Sequence, residues 1–530
     1  MFNLACGFWC SCWESYNDRE KMSGAVMTML VSVILSFLFL WNVIKRSNKG
    51  ISPLPPGPRG FPVLGYLPFL GTELHKKFTE LAGVYGPIYK LWLGNKLCVV
   101  ISSPSVAKEV VRDQDATCAD RDASIVAKIA TYGGNDIGWC PYGPLWKKLR
   151  KLFVGKLLSN ASLEVLSALR KQEIKNSTRN AYNKIGKPID IGELAFLTSI
   201  NTIMNMLWGG TLEEEASNKA RKEFRNLLAE MMEITGKPNI SDFFPMLAMF
   251  DLQGLKKQAE KIVQGYESFF YNLIERAEQL TEASMEKNKQ RDNFLQLLLD
   301  LNKHDSTEML LSKNELKGLL MDIVTGGTDT TSTMVEWVFA EVMKHQEIME
   351  KVQQELDEVV GLNNCVEEFH LPKLCYLDAV VKETLRLHPA LPLLVPRRTS
   401  QPCELGGYTI PKGTTIFLNV YAIHRDPQFW DNPLEFRPER FLNNINAGNF
   451  DFSGNNFQYL PFGSGRRVCA GLPLGEKMLM YQVATFLHSF NWKLPNDTEL
   501  ELSDKHGIVI KKLKPLVAIP TPRLSNLDLY

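Results

Sequence analysis

The sequence predicts a mainly α-helical protein with a few short β-strands, preceded by one N-terminal transmembrane helix. Much of the 530-residue chain places apolar residues at helical spacing among strong helix formers. Two short segments are rich in β-branched and aromatic residues, and 21 uncharged residues run from 24 to 44. Hydrophobic residues make up 45% and charged residues 22%, which excludes a disordered, collagen-like or polytopic membrane chain.

The uncharged segment 24–44 has the length of a membrane-spanning helix. About 20 apolar residues cross the hydrocarbon core of a bilayer as a helix. A cleavable signal peptide is the alternative, but its apolar stretch is shorter, about 7–15 residues. Here the run ends at Lys45 and Arg46, which favours a membrane anchor that stays in place.

The charges beside the anchor predict its orientation. Basic residues follow the segment, whereas acidic residues outnumber basic ones before it, so the C-terminal body is expected in the cytosol. We therefore expect a lumenal extension at 1–23, the anchor at 24–44, a basic and proline-rich linker at 45–60 and a cytosolic domain at 61–530. Met22 is an alternative start. The 10 cysteines are sparse, which favours reduced thiols.

The cytosolic body shows no repeat and no clear internal boundary, so one large domain is expected. Residues 86–101, interrupted by Gly94 and Asn95, predict a β-hairpin, and residues 403–419 look similar. Helices are predicted at 160–183, 218–235, 253–288 and 345–361.

Cys469 is the most informative residue of the chain. It lies among glycines, directly ahead of an apolar helical stretch. The N-terminus of a helix favours an anion, so a thiolate there is a good metal ligand. Taken alone, a cysteine between Val468 and Ala470 is more typical of a buried, inert core thiol.

The pattern around Cys469 is more specific than the cysteine alone. Phe462, Gly465, Arg467, Cys469 and Gly471 match F-x-x-G-x-R-x-C-x-G, which resembles the haem-binding motif of the cytochrome P450 family. The resemblance implies a single large P450 fold and a haem b cofactor. The Cys469 thiolate would be its axial iron ligand, and Phe462, Arg467 and Gly471 would bind it. The chain looks most like plant microsomal members, among them a subgroup with sesquiterpene hydroxylases.

Two further motifs lie at 383–386 and at 436–441. Glu383 and Arg386 share one face of a predicted helix, and Arg440 lies in the sequence Phe-Arg-Pro-Glu-Arg-Phe. Alone, the Glu–Arg pair is a common surface pair. The resemblance implies that these three residues form the buried structural triad of the family.

Gly326 and Gly327 lie inside a long helical run that opens with a capping box at Ser312. Each glycine costs about 1 kcal/mol in a helix interior, which indicates a close approach or a local distortion. A helix crossing with Ser/Thr back-bonding is the alternative. The stretch resembles the oxygen-activation motif of P450s, so Asp329 and Thr330 are the implied catalytic, proton-relaying residues.

The resemblance implies further cofactor contacts from Trp146 and Arg150, which match W-x-x-x-R, and from Arg397, although Arg398 is equally placed. An amphipathic basic helix explains the first pair equally well. By the same analogy the substrate pocket is lined by apolar side chains, each of which could instead be ordinary core. The expected pocket residues are Ile125, Ile129, Met321, Val324, Leu394, Val395 and Ile508. Such a lining favours a hydrophobic substrate.

The expected partners follow from the chemistry. No G-x-G-x-x-G follows a strand, so the two electrons are expected from NADPH through a separate NADPH–cytochrome P450 reductase, with O2 as cosubstrate. The reductase would dock on basic residues, unless these are only solvated charges: Lys147, Lys148, Lys151 and Lys156. Together with the anchor, the resemblance implies a location in the endoplasmic reticulum membrane. A net charge of +1 gives no indication of nucleic-acid binding.

Three classes of function remain at this stage. The first is a monooxygenase that hydroxylates a hydrophobic plant metabolite, most favourably a sesquiterpene, with a flavonoid or phenylpropanoid as the alternative. The second is a haem isomerase or dehydratase that needs no reductase; intact Asp329 and Thr330 argue against it. The third is a non-catalytic haem-binding protein.

Overall fold

The computed structural model describes residues 29, 32–33, 35–36, 39, 54–208, 214–285, 293–304, 310–442, 450–496, 499–505 and 507–530. The predicted anchor at 24–44 and the extension before it lie almost wholly outside these residues. In the part of the chain that the structure describes, no helix combines the length and the apolar character needed to cross a membrane.

The body is mainly helical, as the sequence predicts. The α-helices are α1 Leu74–Tyr85, α2 Pro104–Lys108, α3 Asp115–Cys118, α4 Ile125–Ala130, α5 Pro144–Leu152, α6 Asn160–Val165, α7 Ser167–Tyr182, α8 Ile191–Trp208, α9 Glu214–Thr235, α10 Ile240–Phe243, α11 Leu255–Met285, α12 Phe294–His304, α13 Lys313–Lys344, α14 Gln346–Val359, α15 Cys375–Leu387, α16 Val420–Ile423 and α17 Leu472–Ser489. All four predicted helical stretches are confirmed, although 160–183 is divided between α6 and α7.

Short strands form two small sheets and two hairpins. The strands are β1 Ile88–Leu93, β2 Lys96–Ile101, β3 Ile189–Asp190, β4 Arg397–Arg398, β5 Cys403–Leu405, β6 Tyr408–Ile410, β7 Thr415–Leu418, β8 Phe490–Lys493, β9 Asp504–Lys505, β10 Lys511–Lys512 and β11 Val517–Pro522. One sheet has the order β1-β2-β7-β4 and another β3-β11-β8, while β5-β6 and β9-β10 are hairpins. The first predicted hairpin is confirmed, with its turn at Gly94 in a left-handed conformation.

The second predicted hairpin is confirmed in part. β5 and β6 pair as expected, but β7 leaves them and lies parallel to β2, with Val99 opposite Ile416. On its other side β7 pairs with β4, which forms the edge of the larger sheet. Arg397 of β4 therefore lies beside the loops whose motifs predict cofactor binding.

The long helix α13 runs through the main hydrophobic core and organises the site. It begins at a capping box in which Glu315 N donates to Ser312 Oγ at 3.2 Å and Ser312 N donates to Glu315 Oε2 at 2.9 Å. It crosses α8 so closely that a Cβ on Gly327 would lie 2.5 Å from Ile203 Cδ1. The helix-crossing explanation therefore holds for Gly327.

The hairpin β9-β10 is fastened to three other parts of the body. Asp504 accepts hydrogen bonds from His75 Nε2 at 3.2 Å and from Lys76 Nζ at 2.8 Å on α1. Beyond the turn, Ile510 N donates to Ala390 O at 3.0 Å, and Trp337 Nε1 of α13 donates to Ile510 O at 3.1 Å. These contacts hold the hairpin tip beside α13 and the loop after Pro389.

Candidate active site

The site is built around the loop that precedes α17. Cys469 N donates to Phe462 O at 2.9 Å and closes this loop upon itself. Gly463 and Gly465 adopt left-handed backbone conformations, with φ of +72° and +67°. A side chain at Gly465 would also overlap the carbonyl oxygen of Val111, so this glycine is required both by its backbone angle and by close approach.

Cys469 lies at the end of the loop with part of its side chain exposed, and Gly471 follows it at the N-cap of α17. Although Cys469 keeps accessible surface, the protein packed around it desolvates the thiol and raises its pKa, while the N–H groups of Gly471 and Leu472 and the guanidinium of Arg150 act in the opposite direction. The helix N-terminus therefore favours the thiolate, as expected, but does not outweigh burial. A bound metal ion would remove the proton, since a coordinating thiol is deprotonated.

Arg467 fastens the cysteine loop to the segment 119–140. Its guanidinium donates to Ala119 O at 2.8 Å, to Ile137 O at 2.9 Å and to Cys140 O at 2.7 Å. Burial, followed by the charge of Arg397, lowers the pKa of Arg467 to about 10, so this residue stays protonated at neutral pH. In this structure its donors serve backbone carbonyls.

Arg397 and Arg398, which the sequence could not separate, have different surroundings. Arg397 is buried and donates to Asp115 Oδ1 at 2.9 Å and to Ser464 O, next to the cysteine loop, at 2.7 Å. The side chain of Arg398 is 42% exposed and lies 3.8 Å from Asp122. Of these two arginines, only Arg397 therefore belongs to the site.

Trp146 and Arg150 lie one turn apart on α5, near the cysteine. Trp146 Nε1 donates to Ile137 O at 3.1 Å, and Arg467 donates to the same carbonyl oxygen. Arg150 lies over the Trp146 ring at 5.8 Å, half-buried, and forms no hydrogen bond or ion pair with any described residue. Such a cation beside a candidate metal ligand is suited to the acidic group of a cofactor.

The structure brings Glu383, Arg386 and Arg440 together. Arg386 donates to both oxygens of Glu383, with Nε–Oε2 at 2.7 Å and the second contact at 2.8 Å, and Arg440 Nε donates to Glu383 Oε1 at 3.0 Å. Glu383 and Arg386 are wholly buried. Arg386 also donates to the carbonyls of His424 and Pro433, so the triad joins α15 to the segment 424–440.

One face of α13 keeps accessible surface while the rest of the helix is buried. Between Gly318 and Met343 the residues that are not buried are Asp322, Thr325, Gly326, Gly327 and Thr330. Their spacing of four and eight residues places Asp322, Gly326 and Thr330 on one side. A Cβ on Gly326 would find no atom within 4 Å, which leaves room for a ligand against the backbone.

The two predicted relay residues lie at the edge of this face. Thr330 Oγ1 donates to Gly326 O at 2.7 Å, which is the Ser/Thr back-bond that the alternative interpretation expects. Asp329 is buried and pairs with Lys511 of β10. No described contact joins the two side chains directly.

The predicted pocket residues separate into two groups. Ile125, Ile129, Leu394, Val395 and Ile508 are half-buried, and Leu394 has a strained φ of +50°. Met321 and Val324 are placed instead in the main core, 3% and 0% exposed, on the side of α13 away from its accessible face.

Sequence reasoning missed three charged residues of this region. Asp322 lies on the accessible face of α13, and its position, four and eight residues before Gly326 and Thr330, would have indicated it. Arg121 donates to Gly138 O, Val395 O and Pro396 O and so joins two loops. Lys511 pairs with Asp329. No local pattern identifies Arg121 or Lys511.

These residues fit a flat, acidic, iron-containing cofactor. Cys469 offers a sulfur ligand, Arg150 a cation with no described hydrogen-bond or ion-pair partner, and Gly326 a helix surface without a side chain. Trp146, Arg397 and Arg467 would support it indirectly, because their donors hold the surrounding backbone. Among the described residues no group of three or more His, Cys, Asp or Glu side chains could hold a metal ion.

Comparisons with known proteins agree with this geometry. The family model for cytochrome P450 matches residues 55–519. The chain is 37% identical over 503 residues to a flavonoid 3'-monooxygenase of Crocosmia x crocosmiiflora, covering 93% of this chain and 97% of that relative. It is also 37% identical to a flavonoid 3'-monooxygenase of Petunia hybrida, with 96% and 99% covered, and to a carnosic acid synthase of Salvia pomifera, with 93% and 99% covered. A zebra fish cytochrome P450 structure with abiraterone superimposes with a TM-score of 0.70 at 26% identity, covering 85% of this chain and 99% of that one.

Proposed function

The chain belongs to the cytochrome P450 family and is a monooxygenase, and we propose that it hydroxylates a flavonoid or a closely related phenolic plant metabolite. The observation that carries this proposal is 36–37% identity, over nearly the full length, to flavonoid 3'- and 3',5'-hydroxylases from three plants. The first expectation of a sesquiterpene substrate receives less support from these relatives than its stated alternative.

The cofactor of the family is haem held by a cysteine thiolate, and when bound it supplies the activation of O2. The residues of this chain that would hold it are Cys469, as the thiolate ligand of the iron, and Arg150, as the cation for an acidic group. Arg397 and Arg467 keep the cysteine loop and the segment 119–140 in place around it. The Glu383 triad holds the segment 424–440 to α15.

The accessible face of α13 supplies the protein's own proton-handling groups. Thr330 Oγ1 carries a proton that it donates to Gly326 O, and Asp329 holds a carboxylate one residue away. We assign proton transfer to this pair. The half-buried apolar residues of α4 and the loop 391–395 exclude water and orient a hydrophobic substrate, whereas Met321 and Val324 would act only by supporting the helix.

Electrons come from a redox partner, which we propose to be an NADPH–cytochrome P450 reductase. Lys147, Lys151 and Lys156 are exposed on α5 and the turn that follows, which supports the predicted docking surface. Lys148 differs, because its Nζ donates at 2.8 Å to Glu315 Oε2, the atom that accepts from Ser312 N in the capping box of α13.

We further propose that the protein is held at the endoplasmic reticulum membrane by residues 24–44. An exposed apolar surface on the described body supports this. Gly94 N donates to Leu64 O at 3.0 Å and Asn95 N to Phe243 O at 3.2 Å, so the segments around 61–69 and 240–252 lie side by side. Their exposed apolar residues include Phe61, Leu64, Phe69, Met246, Met249, Phe250 and Leu252. A patch of this kind suits a lipid surface beside the linker.

The test is conversion in microsomes that contain the protein, a plant reductase and NADPH. We expect flavonoids to give products heavier by one oxygen atom, only when NADPH is present. Products from sesquiterpenes but not from flavonoids would overturn the substrate assignment. Conversion that is equal without NADPH and reductase would overturn the dependence on a redox partner.

A further inference from the structure

His388 lies at a junction between three elements around the candidate site. It follows the last residue of α15, directly before the loop 389–395, which contains two of the expected pocket residues. Its ring stacks on that of Trp337 in α13, with 4.0 Å between the ring centroids and 6° between the planes. Its Nε2 donates to Glu341 Oε1, also in α13, at 2.5 Å. One side chain therefore joins the pocket loop to the long helix in two ways.

Trp337 continues this connection to the hairpin β9-β10. Its Nε1 donates to Ile510 O at 3.1 Å, and Lys512 Nζ lies over its ring, 5.2 Å from the centroid. Ile510 N in turn donates at 3.0 Å to the carbonyl oxygen of Ala390, which belongs to the pocket loop. The contacts thus form a closed circuit through α13, the hairpin and the pocket loop, so a shift of one of these elements is transmitted to the other two.

The surroundings of His388 favour a fixed, directional bond. Trp337 and Glu341 are buried, and the side chain of His388 is 16% exposed. Burial lowers the pKa of His388, although the bond to Glu341 acts in the opposite direction. The imidazole is therefore neutral at neutral pH. Because an ionised carboxylate only accepts, the single hydrogen of this ring lies on Nε2.

Filling of the core does not by itself account for this arrangement. Any flat or aliphatic side chain would cover Trp337, whereas a carboxylate buried in the same helix costs free energy unless it is hydrogen-bonded. Few orientations of one imidazole satisfy both the stacked ring and the bond to Glu341. The two contacts therefore fix the direction in which the chain leaves α15.

A second histidine at the same carboxylate provides the contrast. His345 Nδ1 lies 3.5 Å from Glu341 Oε2, and its ring stacks on Phe436, with 5.4 Å between the centroids. Among the residues that the structure describes, none of its hydrogen bonds, ion pairs or ring contacts reaches the pocket loop or the hairpin. His345 therefore shares the acid without being connected to either wall of the site.

We propose that His388 is a positioning residue: it fixes the loop 389–395 and the tip of the hairpin β9-β10 against α13, and thereby determines which position of the substrate is oxidised. It acts through Glu341 and Trp337, not by contact with the substrate or the cofactor. The inference rests on the proposed monooxygenase function and deepens it. The loop and the hairpin tip each carry expected substrate contacts, and one side chain holds both in register.

The first measurement is the distribution of products in microsomes that contain the reductase and NADPH, with 4'-hydroxyflavone as the probe. His388→Phe keeps a ring that can stack on Trp337 but has no donor for Glu341, and Glu341→Leu removes the acceptor. In each variant we expect the ratio of the main product to the minor products to fall about tenfold, which corresponds to one hydrogen bond to a charged group. The double variant should fall no further, because the pair acts as a unit.

His345→Phe is the matched control, since it removes the other contact of Glu341 and keeps a ring beside Phe436, and its product ratio should equal that of the wild type. If His388→Phe or Glu341→Leu does not load haem, His388→Gln replaces it. That variant keeps an N–H donor but loses the stacked ring, so the ratio should still fall about threefold. A wild-type ratio in the His388 variant, additive losses in the double variant, or an equal fall in His345→Phe overturns the inference.

The second measurement needs no substrate. In the haem-loaded protein, hydrogen–deuterium exchange in His388→Phe should be faster than in the wild type at 389–395 and at 508–512, and unchanged in α15. Exchange that is equally faster throughout α15 would show that the side chain only stabilises the fold. That result, or unchanged exchange in both segments, overturns the positioning role.

Failure of the proposed substrate class gives a different result. If the flavone is not converted but a sesquiterpene is, the flavonoid assignment falls, and the same product ratio is measured on the sesquiterpene. A lower ratio in His388→Phe then supports the inference, and a wild-type ratio overturns it. If the flavone is converted with an unchanged ratio, the assignment stands and the role of His388 falls. If neither probe is converted, the exchange measurement decides.

Discussion

Lys511 Nζ lies 2.5 Å from Asp329 Oδ1, and this ion pair joins the hairpin β9-β10 to the acid of the predicted proton relay. Asp329 is buried, whereas the lysine side chain is 48% exposed. Ile508, an expected substrate contact, lies on the turn of the same hairpin. The orientation of the acid is therefore set by an element that the substrate is expected to touch.

Replacing Lys511 by methionine should remove the ion pair that orients Asp329 and lower the fraction of NADPH electrons that reach product. A partly exposed ion pair contributes up to about 1 kcal/mol, so we expect product formed per NADPH to fall by up to about fivefold while peroxide rises. Lys514→Met is the control, because Lys514 is more exposed and pairs with Glu501 at the surface. Wild-type coupling in Lys511→Met would show that the pair is only structural.

Thr330→Ala should separate electron consumption from product formation. The variant lacks the hydroxyl assigned to proton transfer, so we expect NADPH to be consumed with hydrogen peroxide as the main product. Thr325→Ala removes the same kind of back-bond, from Thr325 Oγ1 to Met321 O at 2.6 Å, one turn earlier. If both variants lose coupling equally, the effect comes from the helix and not from a relay.

Loss of either buried member of the triad should prevent haem loading. Glu383→Ala leaves Arg386 charged and buried, and Arg386→Ala leaves Glu383 charged and buried; breaking such a pair costs about 3–5 kcal/mol. The measurements are total haem and the reduced carbon monoxide spectrum. Arg437→Ala is the control, because its side chain pairs with the exposed Asp431. Normal haem content in the first two variants would contradict the structural role.

Arg150→Met should weaken cofactor retention without unfolding the protein. Because the guanidinium has no described hydrogen-bond or ion-pair partner, its removal should leave the melting profile of the apoprotein normal. A hydrogen bond to a charged group is worth about 1.5–3 kcal/mol, so we expect haem to be lost to an acceptor protein about tenfold faster. Lys147→Met, three residues earlier on α5 and exposed, should have no such effect. Equal haem loss in both variants would remove Arg150 from the cofactor site.

Charge reversal on the basic surface should slow reduction by the partner. In Lys147→Glu/Lys151→Glu we expect slower electron transfer from the reductase and a weaker dependence of that rate on salt, because surface charges act mainly on association. Stopped-flow reduction at several ionic strengths measures both. Lys184→Glu changes an exposed lysine on another surface and is the control. An unchanged salt dependence in the double variant would exclude the surface.

Local patterns predicted the parts of the site that depend on close sequence spacing. The cysteine loop, the capping box at Ser312 and the helical register of Glu383 and Arg386 are of this kind. Long-range packing decided the rest. Met321 and Val324 are expected pocket residues that lie in the main core, and Asp322 is half-buried on another side of α13; the packing of the helix, which local spacing does not give, decides this.

Competition for donors is a second reason why sequence reasoning was incomplete. Trp146 is expected to contact the cofactor, and in this structure its N–H donates to Ile137 O, which also accepts a hydrogen bond from Arg467. The pair Lys511–Asp329 joins residues 182 positions apart, which no motif spacing predicts. Arg397 and Arg398 became distinguishable only through the pairing of β4 with β7.

The peptide groups around Ile137 have a consequence for how this enzyme can change. Its N–H donates to Asp322 of α13, and its carbonyl accepts hydrogen bonds from Trp146 and Arg467, which support the cysteine loop. A mutation that reshapes the loop for a new substrate therefore also disturbs cofactor retention. Divergence in substrate range should proceed through coordinated changes, or through α4 and the hairpin tip, where side chains can vary without this shared anchor.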